Sequence, residues 1–261
     1  MRLLQIILCI SLALVTAVQG FAQTDDVPVE EKNNWGAKLR ESNFHLGVDL
    51  QTKYMWRGME MMPEDAAPVL FPSIGYSWKG LYAYAMGGYA VNGKYAEVDL
   101  GVSYTWNGFT LGVNDYYYPT TNTSEDDYFG GKLNGHWLEV VLTYAPEKLP
   151  LWMTASNFFA GDSDSYVDAD GQSKRAYSTY FEVGTYYDFL CDNRIALSTG
   201  LALNKSTYNG YEKNFSVCNI ELKYTYNVHF KSGWSLPLSC AYIYNPHRDK
   251  SFVNFTANFA F

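Results

Sequence analysis

From residue 43 to the C-terminus, apolar and polar positions alternate with a period of two, not 3.6, as in β-strands with unlike faces. The first run sets Phe44, Leu46, Val48, Leu50, Thr52, Tyr54 and Trp56 against His45, Gly47, Asp49, Gln51, Lys53, Met55 and Arg57. One face is apolar and ends in aromatics; the other is polar and charged. Residues 94–106 repeat this, with Ala96, Val98, Leu100, Val102, Tyr104 and Trp106 against Tyr95, Glu97, Asp99, Gly101, Ser103 and Thr105. Continued along the chain, the pattern predicts twelve strands, at 43–57, 69–78, 81–91, 94–106, 109–118, 136–145, 151–160, 176–187, 194–204, 215–226, 234–244 and 251–261. Most exceed the ~5–6 residues usual in soluble sheets and match the ~9–11 tilted residues that cross a bilayer.

The connections also alternate. Lys79-Gly80 and Asn107-Gly108 are two-residue hairpin turns, with glycine supplying the positive φ of a primed turn. Residues 146–150, 188–193 and 227–233 are short as well, whereas 58–68, 119–135, 161–175 and 205–214 are long and polar. Asn92-Gly93 is tight where a long loop is expected. Tight turns on one side and long loops on the other are the plan of a transmembrane antiparallel up-and-down β-barrel of about twelve strands. An even strand number sets both termini on the tight-turn, periplasmic side. Trp78, Trp106, Tyr144, Tyr187, Tyr226 and Trp234 flank the tight turns and would form an interfacial girdle. Tyr76-Ser77-Trp78-Lys79-Gly80-Leu81 is echoed by Tyr104-Thr105-Trp106-Asn107-Gly108-Phe109, a hairpin repeat. A soluble β-sandwich also alternates, but it does not account for strands this long with a charged second face. The closing strand ends on Phe261, which resembles the closing aromatic of outer-membrane barrels, and that resemblance implies recognition by the outer-membrane assembly machinery.

Residues 1–22 read as a secretory signal: Arg2 supplies the positive start, Leu3 to Val18 the apolar stretch, and Gly20-Phe21-Ala22 the small-residue cleavage site. Residues 23–42 are charged, lack either period, and read as a flexible periplasmic lead-in with Trp35 as the one large anchor. The barrel then occupies 43–261. No later stretch is apolar and long enough for a transmembrane helix. With a net charge of −8 and no basic cluster, a nucleic-acid partner is excluded.

By parity the lumen face carries Asp49, Lys53, Arg57, Glu97, Asp99, Glu139, Glu182, Glu221 and Lys223. Against lipid such charges would cost up to ~2–4 kcal/mol each at the midplane, so this face points inward. The charges could line a wet channel or pair across the interior as a polar plug. Gly101, Ser103, Gly112, Gly184, Ser198 and Gly200 leave room, and Tyr180 and Tyr186 take it back. Lys53 and Arg57 facing Glu97 and Asp99 is the expected constriction, with the acid excess giving weak cation preference.

Candidate chemistry is sparse. The histidines, at 45, 136, 229 and 247, are isolated in the sequence, and no Gly-x-Ser-x-Gly occurs. A lipid hydrolase would need a Ser–His pair at one rim. The loop GDSDSYVDADG (161–171) evokes a calcium loop, but no Glu stands at the twelfth position from Asp162 or Asp168; it reads as a solvated acidic loop, with Glu125, Asp126 and Asp127 repeating the theme. Cys218 and Cys240 are expected on one face of neighbouring strands, diagonal and toward lipid, with Cys191 alone in a turn. No cofactor is expected.

Several segments carry a family resemblance. LQTKYMWRGMEM (50–61) resembles the opening strand of the TorF-like family of outer-membrane porins, through the Tyr54, Trp56, Arg57, Gly58 step. YAEVDLGVSYTWNGFTLGVNDYYYP (95–119), AYSTYFEVGTYYDF (176–189), Asn245-Pro246 and the closing strand are similar to that family too. The resemblance implies a barrel and a pore, and no catalytic residues. The reading is therefore an outer-membrane porin-like channel passing small solutes or ions, with lipid around it. The alternatives are a closed structural or surface-binding barrel with acidic loops, and a lipid hydrolase.

Overall fold

The computed structural model describes residues 42–63, 65, 68–119, 128, 135–161, 164–231 and 233–261. The signal, the lead-in with Trp35, Glu125 to Asp127 and Asp162 lie outside the described residues. Twelve antiparallel strands close into a barrel: β1 (Phe44–Gln51), β2 (Val69–Trp78), β3 (Leu81–Ala90), β4 (Ala96–Trp106), β5 (Phe109–Tyr117), β6 (His136–Tyr144), β7 (Leu151–Ala160), β8 (Thr179–Phe189), β9 (Asn193–Ala202), β10 (Ser216–His229), β11 (Ser235–Asn245) and β12 (Lys250–Ala260). Each strand pairs with its sequence neighbours, and β1 pairs with β12 through Gly47–Ala260 and Asp49–Asn258. Closure leaves no free sheet edge.

The turn chemistry works as the sequence implies. Lys79-Gly80 has φ of 47° and 88°, and Asn107-Gly108 has 47° and 81°, both central residues left-handed as a type I′ turn requires. Along the outside, Ile74, Val102, Leu111, Leu142, Met153, Leu197 and Val253 are all exposed. A continuous apolar belt of this kind is stable against acyl chains rather than water. At the tight-turn end Trp78 and Trp106 are exposed, Phe109 stacks on Tyr144, and Trp234 stacks on Phe230, Phe259 and Phe261.

Three departures from the alternation reading matter. First, β1 ends at Gln51, not at residue 57, and the chain beyond it leaves the wall. Second, β10 runs to His229, three residues past its expected end, and pairs there with Ser235, so Cys240 sits opposite Tyr224. Third, the β9–β10 register jumps from Gly200–Asn219 to Leu201–Val217, so Cys218 is the extra residue of a β-bulge. The bulge turns Cys218 away from lipid and buries it completely against Tyr180 and Tyr208. The expected lipid-facing Cys218–Cys240 diagonal is thereby overturned. All three described cysteines are free thiols, Cys191 exposed. A second jump, at Leu138/Glu139, makes Phe159 the extra residue, outward, beside a buried Phe158.

Candidate functional site

Seven of the nine residues expected on the lumen face are carried inward by the wall: Asp49 on β1, Glu97 and Asp99 on β4, Glu139 on β6, Glu182 on β8, and Glu221 and Lys223 on β10. Asp49 accepts a bond from Asn258 of β12 and faces Lys223, which in turn stands beside Glu221. Lys53 and Arg57 are not on the wall. They belong to an excursion, residues 52–61, that crosses the lumen.

The excursion begins where Asn254 captures the chain: its side-chain oxygen accepts from Thr52 Oγ1 at 2.9 Å and from the Lys53 amide at 3.0 Å. A minimal hairpin follows, Met55–Trp56 against Met59–Glu60, turned by Arg57 (φ 51°) and Gly58 (φ 79°). This is a third X–Gly primed turn, aimed into the barrel. The tip lies so close to β10 that a Cβ on Gly58 would overlap the Cys218 carbonyl oxygen, and the Asn245 amide donates to the Gly58 carbonyl at 3.1 Å. Lys53 pairs with Glu60 of the same hairpin.

Arg57 reaches across to β6. Its guanidinium forms a two-pronged ion pair with Glu139 and donates to the Tyr208 hydroxyl at 2.5 Å. It lies 4.5 Å from the Trp56 ring and 4.7 Å from the Tyr180 ring. Tyr116 also donates to Glu139, at 2.9 Å, onto the Oε2 that Arg57 Nη2 holds. Trp56 packs against Tyr116, Phe158 and Tyr208, and Tyr54 against Phe71 and Tyr95. Tyr208 comes from a single 3-10 turn, Thr207–Asn209, that dips in from the β9–β10 loop. The loop half of the barrel is thus filled by an aromatic core around one buried ion pair. The expected pairing of Lys53 and Arg57 with Glu97 and Asp99 does not form: Arg57 is held by Glu139 and Lys53 by Glu60.

The room left by inward glycines is taken by rings lying flat on the wall. A Cβ at Gly75 would strike Tyr82, at Gly101 Tyr84, at Gly184 Trp152 and at Gly200 Tyr180. Glu182 fixes two of these rings, accepting from Trp152 Nε1 at 3.0 Å and from the Tyr180 hydroxyl at 2.7 Å. Beneath this layer the tight-turn half opens into a vestibule of about 720 Å³, lined among others by Trp152, Tyr186, Arg194, Glu221 and Lys223. On the loop side a pocket of about 320 Å³ is lined by Trp56, Met61, Trp137, Phe158 and Arg248. Arg57, Glu139, Tyr180 and Glu182 line neither of the two.

The histidines are isolated in sequence but not in space. His45 meets the Ser77 hydroxyl at 2.8 Å, and His136 meets Asp115 at 2.9 Å. His229 contacts the Ser235 hydroxyl through Nδ1 at 2.7 Å and Asp192 through Nε2 at 2.8 Å. The two Ser–His pairs both lie at the tight-turn rim. In the loop 161–171, Asp164 is buried rather than solvated, accepting from the Ser178 amide and hydroxyl at 2.7 and 2.5 Å; burial pushes its carboxyl above the usual range. Asp168 accepts from the amides of Asp170 and Gln172 and pairs with Lys174 at 2.6 Å. Both carboxylates brace a short loop hairpin, Ser165–Val167 with Ser173–Arg175.

Sequence reasoning missed Trp56, Phe158, Trp152 and Tyr208 as interior residues. Arg57-Gly58, an X–Gly pair like the two rim turns, was the one signal for the inward hairpin; Tyr208 sits in a loop where alternation is silent.

No family model and no curated protein matches the sequence. Among solved structures, the barrel is similar to the NanC porin, with a TM-score of 0.50 and 14% identity over 83% of this chain and 98% of that one. The KdgM porin gives 0.45 and 8% over 83% and 98%. A mutant of the Rhodopseudomonas blastica porin gives 0.39 and 10% over 74% and 55%. At 14% identity, the likeness to the NanC porin is one of fold.

Proposed function

We propose that this barrel is an outer-membrane, porin-like channel for passive diffusion of small solutes or ions, shut in this conformation by the inward hairpin. The observation that carries the reading is the pair of cavities, one lined by residues beside the tight turns and one by residues of the inward hairpin, with the Arg57–Glu139 pair tying that hairpin to the wall. A structural plug needs no vestibule with Glu221, Lys223 and Arg194 on its wall. The lumen excess of acid over base supports weak cation preference, with Asp49 and Glu221 in the wet half as the residues that set it. The resemblance to the TorF-like porins agrees with this reading, and the expected signal peptide would deliver the chain to the outer membrane.

A second reading is favoured by a specific observation. The loop half is packed as densely in aromatics as a soluble core, with Glu139, Phe158 and Tyr208 essentially inaccessible. A barrel closed for good would serve as a surface-binding or structural protein. Conductance separates the two. In planar bilayers the wild type should give small discrete steps, and Trp56→Ala should raise their size or open fraction several-fold. Asp49→Asn with Glu221→Gln should lower cation selectivity. Silence from folded, inserted wild type and Trp56→Ala alike removes the channel and leaves the closed barrel.

A further inference from the structure

Glu97 and Asp99 stand two residues apart on β4, both inward and both wholly inaccessible. Their carboxyl groups lie side by side. Glu97 Oε2 accepts from the Tyr95 hydroxyl at 2.6 Å, but Glu97 Oε1 and both oxygens of Asp99 make no hydrogen bond among the described residues. The nearby bases are engaged elsewhere: Arg57 with Glu139, Lys53 with Glu60 and Lys94 with Asp65. Two buried acids therefore lie side by side with no protein counter-charge. Burial of an unpaired carboxylate is among the least favourable arrangements a protein adopts, and adjacent like charges make it worse.

The surroundings indicate what completes the site. The hydroxyls of Tyr54 and Tyr118 face Glu97 beside that of Tyr95, and the three rings pack edge to face. One proton shared by the acids would leave a net charge and still leave Asp99 short of donors. Two carboxylates are instead the hard oxygen ligands that calcium gathers in flexible six- to eight-fold coordination, with water completing the set, and the phenolic hydroxyls around them orient the carboxylates. Magnesium keeps its water and octahedral geometry and suits a buried site less well. We propose that Glu97 and Asp99, with the tyrosine hydroxyls around them, bind one divalent cation of the calcium class. The ion would neutralise both acids and tie Tyr54, the stem of the inward hairpin, to β4.

Terbium is the probe, because it replaces calcium and tyrosines beside it sensitise its emission. The whole chain, refolded in detergent after EDTA treatment, should show saturable tyrosine-excited terbium emission that calcium displaces. Asp99→Asn and Glu97→Gln should each weaken it by at least about 10-fold, while Asp168→Asn, in the acidic loop 161–171, should leave it intact. Emission that survives Asp99→Asn, or that Asp168→Asn removes, overturns the proposal. Should the β4 variants not fold, the wild type alone decides. Absence of calcium-displaceable emission, together with a protonated-carboxyl infrared band indifferent to calcium, assigns the acid pair to protons and overturns the cation site. Neither result depends on whether the barrel conducts.

Discussion

The two halves of the lumen share one wall and one alternation, yet they differ as a protein core differs from a solvent cleft. In the loop half, Trp56, Phe158, Tyr180 and Tyr208 pack around the Arg57–Glu139 pair, and the acids are inaccessible. In the tight-turn half, Glu221 and Lys223 border an open vestibule. The wall is not the cause, since inward glycines occur in both halves. The difference comes from two intrusions: residues 52–61, which leave β1 and fold back inside, and the 3-10 turn Thr207–Asn209, which brings in Tyr208. Polarity of the lumen face is thus a property of the strands, whereas openness is a property of these two excursions.

The largest contrast should appear when one charge is removed from each half. Arg57→Ala leaves Glu139 buried without its partner, and breaking such a pair by removing one member costs about 3–5 kcal/mol. Lys223→Ala removes a base bordering water, where surface-like pairs contribute at most about 1 kcal/mol. Urea unfolding of the detergent-folded barrel, read by the loss of its heat-modifiable gel mobility, measures both. Equal midpoints for the two variants would mean that the loop half is as wet as the vestibule.

Glycine supplies a second contrast. Gly58 combines φ of 79° with a backbone carbonyl in the space a Cβ would take, so Gly58→Ala must strain the turn or withdraw the tip from β10. Strained positions of this kind cost about 1–3 kcal/mol. Gly112, inward in the tight-turn half, has the Ser103 Cβ 3.2 Å from its own Cβ position as the nearest neighbour, and Gly112→Ala should stay within about 1 kcal/mol of wild type. In bilayers, Gly58→Ala should also conduct more than Gly112→Ala, because only the first displaces the hairpin. A larger stability loss for Gly112→Ala would contradict the assignment of the tip.

The wall was legible because lipid on one side and polar interior on the other leave an alternating trace, and turn glycines punctuate it. Strand number, closure and the inward phase of the seven wall positions, Asp49, Glu97, Asp99, Glu139, Glu182, Glu221 and Lys223, follow from that trace. The hairpin was not legible in the same way. Tyr54 and Trp56 continue the apolar phase of β1, and an apolar residue suits a plug as well as it suits lipid, so the period cannot tell them apart. The distinguishing information is local: Arg57-Gly58 as a turn and Asn254 as the capturing side chain. Cys218 escaped because a bulge changes the phase by one residue; the only hint is the Val217-Cys218 doublet before Asn219. The opening step of the resemblance, Tyr54, Trp56, Arg57 and Gly58, lies in the inward excursion, so what reads as a strand signature is in space the core of the closure.

The smallest expected effect tests whether the tight-turn half is as passive as its openness suggests. Ser235, His229 and Asp192 form a chain of short contacts at that rim, the residue types of a hydrolytic triad. Their setting argues for a tie between turns. The imidazole side chain is 57% exposed, so a charge developing on it gains little from a low-dielectric site. The serine hydroxyl sits on Nδ1 and the carboxylate on Nε2, the reverse of the arrangement in which a triad base serves its nucleophile. His229→Ala should therefore cost no more than about 1 kcal/mol, in line with one exposed hydrogen-bonded tie, and leave conductance unchanged. A fluorophosphonate probe should leave Ser235 unlabelled in the folded wild type. Labelling that Ser235→Ala and His229→Ala both abolish would instead make this rim an acyl-transfer site, and the comparison between a packed half and an inert open half would fail on its open side.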